Sequence, residues 1–378
     1  MARKIILLTG GGTGGHIYPL VAVAQKLIKV GFGSGELQIK YLGPMNQFNA
    51  VLSVNYGVRM HNLLSVKFRR YFSLLNLIDI PKFFLALAQA LWKVFWIMPN
   101  VIFSKGGTGA LPVVLAGWFY RVPIVIHESD AVPGLTNLVS GRFARRIAVG
   151  FDSGLQYFDP NKAILTGNPV REELLGDRYA KDIAKEELGF KGLEPLVVFL
   201  GGSQGSKRLN DFVLLNLRDL LSEAQILHQA GWDNFSEIEK LSRAALLDLD
   251  LKTELEHRYK VVPYFLENLR TVLIAADLVV TRAGGGAIFE LAAFGKPALL
   301  IPLPESAGGH QRVNAYEFAK AGGGVVIEED NLFKGIFLGQ FREILKNEAL
   351  RKKMELSSAK FFKPEAAELL AQELINLI

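Results

Sequence analysis

The chain has 378 residues, half of them hydrophobic and 21% charged, with a formal net charge of +6 and no cysteine. Its length exceeds one typical domain and suffices for two cores. The lack of cysteine excludes disulfides, thiolate nucleophiles and cysteine-based zinc sites, and the positive balance favours anionic partners: phosphates, nucleic acid or acidic lipid.

At the start, the apolar run 5–8 is too short for the ~7–15-residue core of a secretion signal, and glycines follow at once. It reads as a first strand. Short apolar runs then alternate with helical patterns to the end of the chain, which predicts an α/β architecture with parallel sheets. Strands are expected at 5–9, 38–42, 101–104, 124–127 and 147–149, then at 196–200, 225–229, 260–263, 278–281 and 298–302. Each half opens alike, with an apolar run feeding a glycine cluster, at 10–15 and at 201–205. Two Rossmann-like domains in tandem follow from this, with parallel sheets facing across a cleft. The join is expected near 165–169, giving domains 1–165 and 166–363, with a last helix over 364–378 packing back on the first.

The segment 63–98 is unusually apolar and aromatic, with Phe83, Phe84, Trp92, Phe95 and Trp96 in its second half. Asp79, Pro81, Lys82, Gln89 and Lys93 interrupt it, so it makes a poor transmembrane span. At helical spacing Asp79, Lys82, Gln89 and Lys93 fall near one face and leave a wide apolar face opposite. That face has two uses, which the sequence leaves open. It covers a sheet, or it dips Phe84, Trp92 and Trp96 into lipid while Lys67 and Arg69 meet anionic headgroups.

Three glycine-rich stretches carry the chemistry. Gly10-Gly11-Gly12-Thr13-Gly14-Gly15-His16 lies between a strand and a helix, where glycines admit a ligand to the backbone and a helix start offers unpaired N–H groups. Gly10, Gly12 and Gly15 also spell a dinucleotide fingerprint. However, strand 38–42 ends in Gly43-Pro44, where that fingerprint needs an acid for the ribose. His16 is either a helix-start residue or a polar group aimed at the reacting centre. In the second stretch, 201–205, backbone amides and the Ser203 hydroxyl suit a phosphate oxygen. The third, 281–314, is the densest. Its turn 284–286 suits a diphosphate, Glu290 can accept both hydroxyls of a ribose, and His310, Gln311 and Asn314 suit sugar hydroxyls. Asp248-Leu249-Asp250 has the D-x-D spelling of a metal site but sits in a charged helical stretch, so neither metal nor other cofactor is expected. A leaving diphosphate would then meet helix N-termini and a cation, for which Arg171 is the candidate.

Together these segments resemble the MurG family, the lipid I N-acetylglucosaminyltransferases. The resemblance runs through 11–16, His127-Glu128 with 131–137, 167–171, 201–205 and 282–314. It implies the GT-B fold and an inverting, metal-independent transfer of N-acetylglucosamine from UDP-GlcNAc to the 4-hydroxyl of undecaprenyl-linked lipid I, giving lipid II for peptidoglycan. By that likeness Thr13, Gly14, Gly15, Arg171, Ser203, Phe265, Glu290, Gln311 and Asn314 bind the donor. Tyr264 and Phe265 border the uracil, the latter through its backbone. His16 and Asn137 line the acceptor side. The base is expected at His16 or Asp130, the latter read from its own carboxylate and not from the family pattern. The implied partners are the donor, the lipid acceptor and an anionic membrane surface, with no nucleic acid, and the implied place is the cytoplasmic face of a bacterial membrane. The chain departs from the family pattern at Ser129-Asp130, where Gln-Asn is usual, at Gly308-Gly309, where an acidic pair is common, and at Ala287 and Gly106-Gly107-Thr108. Alternatives are another GT-B enzyme, such as a glycolipid synthase or a UDP-sugar 2-epimerase, a non-catalytic UDP-sugar-binding subunit, or a nicotinamide dehydrogenase.

Overall fold

Apolar runs bounded by glycine and proline become strands buried on both faces, as parallel sheets require. The computed structural model describes residues 3–11, 14–31, 37–45, 50–65, 76–107, 109–202, 205–248, 256–265 and 268–378. Seven strands form the first sheet: β1 (Lys4–Gly11), β2 (Leu37–Gly43), β3 (Arg59–Asn62), β4 (Val101–Gly107), β5 (Ile124–Glu128), β6 (Arg146–Val149) and β7 (Ala163–Leu165). Its order is β3-β2-β1-β4-β5-β6-β7, parallel throughout. The helices of this part are α1 (Gly14–Gly31), α2 (Ala50–Tyr56), α3 (Asn76–Ile97), α4 (Ala110–Phe119) and α5 (Leu135–Phe143).

A short helix, α6 (Glu172–Leu175), and α7 (Lys181–Glu187) lead into the second sheet. Six strands build it: β8 (Leu196–Leu200), β9 (Gln225–Gln229), β10 (Tyr259–Val262), β11 (Leu278–Thr281), β12 (Ala298–Leu300) and β13 (Gly324–Val326). The order is β10-β9-β8-β11-β12-β13, again parallel. Between and after the strands run α8 (Lys207–Leu215), α9 (Leu217–Glu223), α10 (Phe235–Asp248), α11 (Leu269–Ala275), α12 (Gly285–Phe294), α13 (His310–Lys320), α14 (Lys334–Lys346), α15 (Glu348–Phe361) and α16 (Ala366–Ile375). The sequence pattern misses β3 and β13. Arg59-Met60-His61-Asn62 is a polar edge strand and Gly324–Val326 a three-residue edge strand, so neither shows a bounded apolar run.

The chain divides into two units, Met1–Glu172 with Lys363–Ile378, and Glu173–Phe362. In the first, alternate residues of β1 feed opposite cores. Ile6 and Leu8 pack with α1 and with Leu370, Ala371 and Leu374 of α16, while Leu7 packs with α3 and α4. Ion pairs Lys29–Glu172 (2.7 Å) and Arg146–Glu373 (3.3 Å) tie both ends of this unit down. The change of unit falls at 172/173 rather than at 165/166. The stretch after β7 stays bonded to the first sheet, Gly167 N–H donating to the Val149 carbonyl (3.2 Å) and Glu172 N–H to Gln25 Oε1 (3.1 Å).

Helix α3 covers its sheet with a narrow stripe of Ala86, Ala90, Val94 and Ile97. Its aromatic face points outward, with Phe84, Trp92 and Trp96 63%, 65% and 67% exposed. Gln89 accepts a hydrogen bond from Leu64 N–H and Lys93 donates to the Asn62 carbonyl, so these polar residues hold the chain beside the helix. By length and composition alone Asp79–Ile97 is long and apolar enough to cross a membrane. Lys67 and Arg69 lie outside the described residues.

Candidate functional site

In each sheet the strand order reverses beside the first strand of the unit, between β1 and β4 and between β8 and β11. Ligands of open α/β sheets bind outside the carboxyl ends of strands at such reversals. All three glycine stretches found in the sequence end strands that flank these two points.

In the first unit the strand ends press against each other. Gly11 pairs with Gly107, and a Cβ at Gly107 would stand 2.4 Å from the Gly11 carbonyl oxygen. The His16 ring lies over the same glycine, its Nε2 3.2 Å from where that Cβ would be. Asn137 backs Gly106 in the same way. Behind them runs a buried polar network. Glu128 accepts from Asp130 N–H, Gly134 N–H and Asn137 Nδ2, each at 3.0 Å, and so ties down the loop after β5. The Lys105 ammonium donates to Ser129 Oγ and to the His127 carbonyl (3.5 Å). His127 Nε2 bonds the Gly167 carbonyl (3.0 Å), and a carbonyl only accepts, so the proton is on Nε2. Burial, with Lys105 beside it, holds the His127 pKa well below the usual imidazole value. Burial and the charge of Asp130 push the Glu128 carboxyl up, while Lys105 opposes them. Arg171 belongs to this unit too, its guanidinium 3.7 Å above the Tyr18 ring.

In the second unit Gly201 and Gly205 are packed against the end of β9 and the turn after it, but four other glycines are open. A Cβ at Gly202, Gly284, Gly286 or Gly309 would meet nothing within 4 Å. Gly284 precedes α12 in extended conformation with no side-chain cap, so the helix start faces that space through its backbone. Glu290 is four residues beyond Gly286, on the same helix face and one turn up. Gln229, at the end of β9, clamps the first turn: its Nε2 donates to the Gly202 carbonyl (3.1 Å) and its Oε1 accepts from Phe265 N–H (3.3 Å). Arg282, just past β11, donates through Nε (3.1 Å) and Nη2 (2.7 Å) to Ser206 Oγ and pairs with Glu329, locking the two turns together. Trp232 stands beside Tyr264, ring centroids 6.4 Å apart.

The expected residues divide accordingly. Gln311 keeps its amide N–H groups after its Oε1 accepts from Leu303 N–H (3.0 Å). Asn314 is fully buried and donates to the Ala283 carbonyl (3.0 Å), so it ties α13 to the glycine turn instead of lining a free surface. Asn137 is likewise interior, its amide shared between Glu128 and the His127 carbonyl. Phe265 is buried and its backbone N–H is engaged by Gln229, which leaves the expected backbone contact to its carbonyl. Thr13 and Ser203 lie outside the described residues. So do Leu249 and Asp250, while Asp248 closes α10. Gln229, Arg282 and Trp232 went unassigned in the sequence. Gln229 and Arg282 stand at strand ends, which was the one signal available for them.

Two family models match the chain, the glycosyltransferase family 28 N-terminal domain over residues 6–149 and its C-terminal domain over 196–370. Among curated relatives, the UDP-N-acetylglucosamine--N-acetylmuramyl-(pentapeptide) pyrophosphoryl-undecaprenol N-acetylglucosamine transferase of Clostridium tetani is 37% identical, with 95% of each chain covered. That of Clostridium perfringens is 36% identical, with 92% of each covered. The chain belongs to the MurG family of glycosyltransferases. Solved structures agree on the fold. Acinetobacter baumannii MurG matches with a TM-score of 0.73 at 23% identity, covering 99% of this chain and 100% of that one. UDP-GlcNAc 2-epimerase of Neisseria meningitidis matches with 0.67 at 12%, covering 99% and 100%. The two α/β units are thus of the GT-B kind, and the fold is shared between MurG proteins and epimerases, so fold alone does not choose the reaction.

Proposed function

We propose that this enzyme transfers N-acetylglucosamine from UDP-GlcNAc to the 4-hydroxyl of the muramyl sugar of lipid I, with inversion and without a divalent ion. The observation that carries the reading is the open, glycine-floored turn of α12 with Glu290 one turn above it. A diphosphate on the uncapped helix start would gain from the helix dipole and from backbone N–H donors placed before any charge develops. Ser203 would share that charge. In the first unit Thr13, Gly14, Gly15 and Arg171 are the residues expected to serve the donor. Glu290 would hold the ribose, the Phe265 carbonyl and Tyr264 the uracil, and Gln311 the sugar. In the first unit, His16 and Asp130 are the two side chains suited to take the hydroxyl proton, an effect typically worth ~10²–10⁴-fold. Their separate replacement and the pH profile of kcat decide between them.

The lipid acceptor requires a membrane, and the first unit supplies a surface for one. Ring contacts run from Trp92 to Trp96, Phe95, Tyr120 and Phe119. In the same unit a cavity of about 300 Å³ is lined by Trp118 and Phe143 and by Arg121, Arg142, Arg145 and Lys162. None of these four cations has an ion pair among the described residues. Aromatic side chains inserted at the interface and cations at headgroup level give reversible attachment, each cation contributing up to ~1 kcal/mol on an anionic surface. The reading that these features support is peripheral attachment, at the cytoplasmic face that the family resemblance implies.

The test is incubation with labelled UDP-GlcNAc and a lipid I analogue, in wild type and in Glu290→Ala. Transfer with release of UDP is expected, with KM for UDP-GlcNAc raised roughly 10–100-fold in E290A, the scale of a lost charge-assisted bond. Equal use of UDP-glucose would overturn the donor assignment. Unchanged KM in E290A would overturn the ribose contact.

A further inference from the structure

The Lys105 side chain is an interior cation that the reaction as described does not use. It lies near the end of β4 and is 2% exposed. Its stem packs against the first glycine stretch, since a Cβ at Gly10 would approach the Lys105 Cβ to 3.1 Å. Both hydrogen bonds of its ammonium go to neutral oxygens of the neighbouring strand and loop, Ser129 Oγ and the His127 carbonyl. A buried ammonium held only by neutral acceptors is costly unless negative charge stands close by. Two carboxylates supply it, Glu128 and Asp130, whose fields both act on Lys105. Glu128 in turn holds the Asp130 backbone N–H, and the Ser129 carbonyl is held from the far side by Asn168 Nδ2 (2.9 Å). Every bond around Ser129 thus fixes the short loop from which Asp130 projects.

We propose that Lys105 is a positioning residue for the transfer: from inside the sheet it pins Ser129, and so fixes the short loop that presents Asp130 to the acceptor. The proposal rests on the transferase reading and goes beyond it by giving a role to a residue that touches neither substrate. The titratable groups around the loop are Lys105 on β4, His127 and Glu128 on β5, Asp130 itself, and His16 from α1, whose ring reaches the neighbouring Gly107. His127 is neutral in this setting, so Lys105 is the cation of the group. Removing it deletes the bond to Ser129 and frees the loop that carries Asp130.

The experiment is steady-state kinetics of Lys105→Met, Lys105→Arg and Ser129→Ala in the full chain, with UDP-GlcNAc and the lipid acceptor analogue. K105M is expected to lose about tenfold or more in kcat, with KM for UDP-GlcNAc within about twofold of wild type. K105R keeps a donor for Ser129 and restores most of kcat. S129A loses the same bond, so its kcat falls while KM for UDP-GlcNAc holds. In a D130N background K105M is expected to add less than about twofold, because the two residues act through one another. Unchanged kcat in folded K105M, or full additivity with D130N, overturns the proposal. Should K105M not fold, S129A still decides: wild-type kcat in S129A counts against it. A wild-type enzyme that does not turn over the lipid acceptor overturns the transferase reading instead.

Discussion

The glycine turns of the two units look alike in sequence and differ in what fills them. In the first unit the space a side chain would occupy is taken by protein. Gly107 faces the Gly11 carbonyl and His16, Gly106 faces Asn137, and Gly10 faces Lys105. In the second, Gly201 and Gly205 are closed off by the Gln229 and Ala230 carbonyls, but Gly202, Gly284, Gly286 and Gly309 face nothing. A glycine is kept for close approach in both cases, but the approaching group is the neighbouring strand in one unit and open volume in the other. The first kind of turn builds a wall against which His16 packs. The second leaves room for a ligand.

That contrast makes opposite expectations for similar substitutions. Gly107→Ala puts a methyl group into a backbone carbonyl at a φ of 82°, so overpacking and left-handed strain add. The expected loss is about 3 kcal/mol or more in a urea melt, with little soluble enzyme as a result. A stable G107A would mean that the wall is pliable.

The next effect separates the units by their buried histidines. His228 lies between the Tyr259 hydroxyl (2.9 Å) and Asn210 Oδ1 (3.0 Å), and burial pushes its pKa down to about 3. A depressed histidine takes its proton in the unfolded chain before the folded one. Its contribution to stability is therefore complete above about pH 6.5 and is lost progressively as pH falls towards 3. At pH 5 the second unit is expected to be weaker by about 2 kcal/mol, and His228→Gln to flatten that dependence. His127, bonded to the Gly167 carbonyl, contributes in the same direction in the first unit. If H228Q leaves the acid slope of the second unit unchanged, the imidazole is not the group that titrates.

The smallest expected effect is the most specific. Gly286→Ala places a methyl group in open volume on the first turn of α12, where alanine favours the helix by up to ~1 kcal/mol. Thermal stability should hold or rise slightly, while KM for UDP-GlcNAc rises about tenfold, or ~1.4 kcal/mol. Unchanged KM would mean that the open turn is not where the donor lies.

The sequence pattern reached the two sheets because apolar runs of four or five residues bounded by glycine admit few other readings. It missed β3, whose Arg59, His61 and Asn62 hide an edge strand, and β13, which is three residues long. Among the expected site residues, Glu290 and Gln311 can be placed from the sequence because a strand, a glycine turn and a helix fix where they stand, and their roles are proposals. Asn137, Asn314 and Phe265 can be placed on their elements, but their burial cannot be read from the sequence. Whether a polar group faces a ligand or its own backbone depends on packing across strands, and Asn314 bonds a carbonyl 31 residues away. Lys105 gave no signal at all, since a lysine within an apolar strand is ordinarily an edge or surface residue. On α3 the spacing did expose an apolar face. What it did not reveal is that alanines and valine suffice to cover the sheet, which leaves the aromatic side outward.

The most direct test of the central claim, that the open turns of the second unit carry the nucleotide, is amide hydrogen exchange with and without UDP-GlcNAc at a concentration near the wild-type KM. Exchange is expected to slow at Gly284 to Glu290 and around Gly202, with most of the effect lost in G286A at the same concentration. Exchange that slows nowhere in the second unit, or that slows equally in G286A, would contradict it.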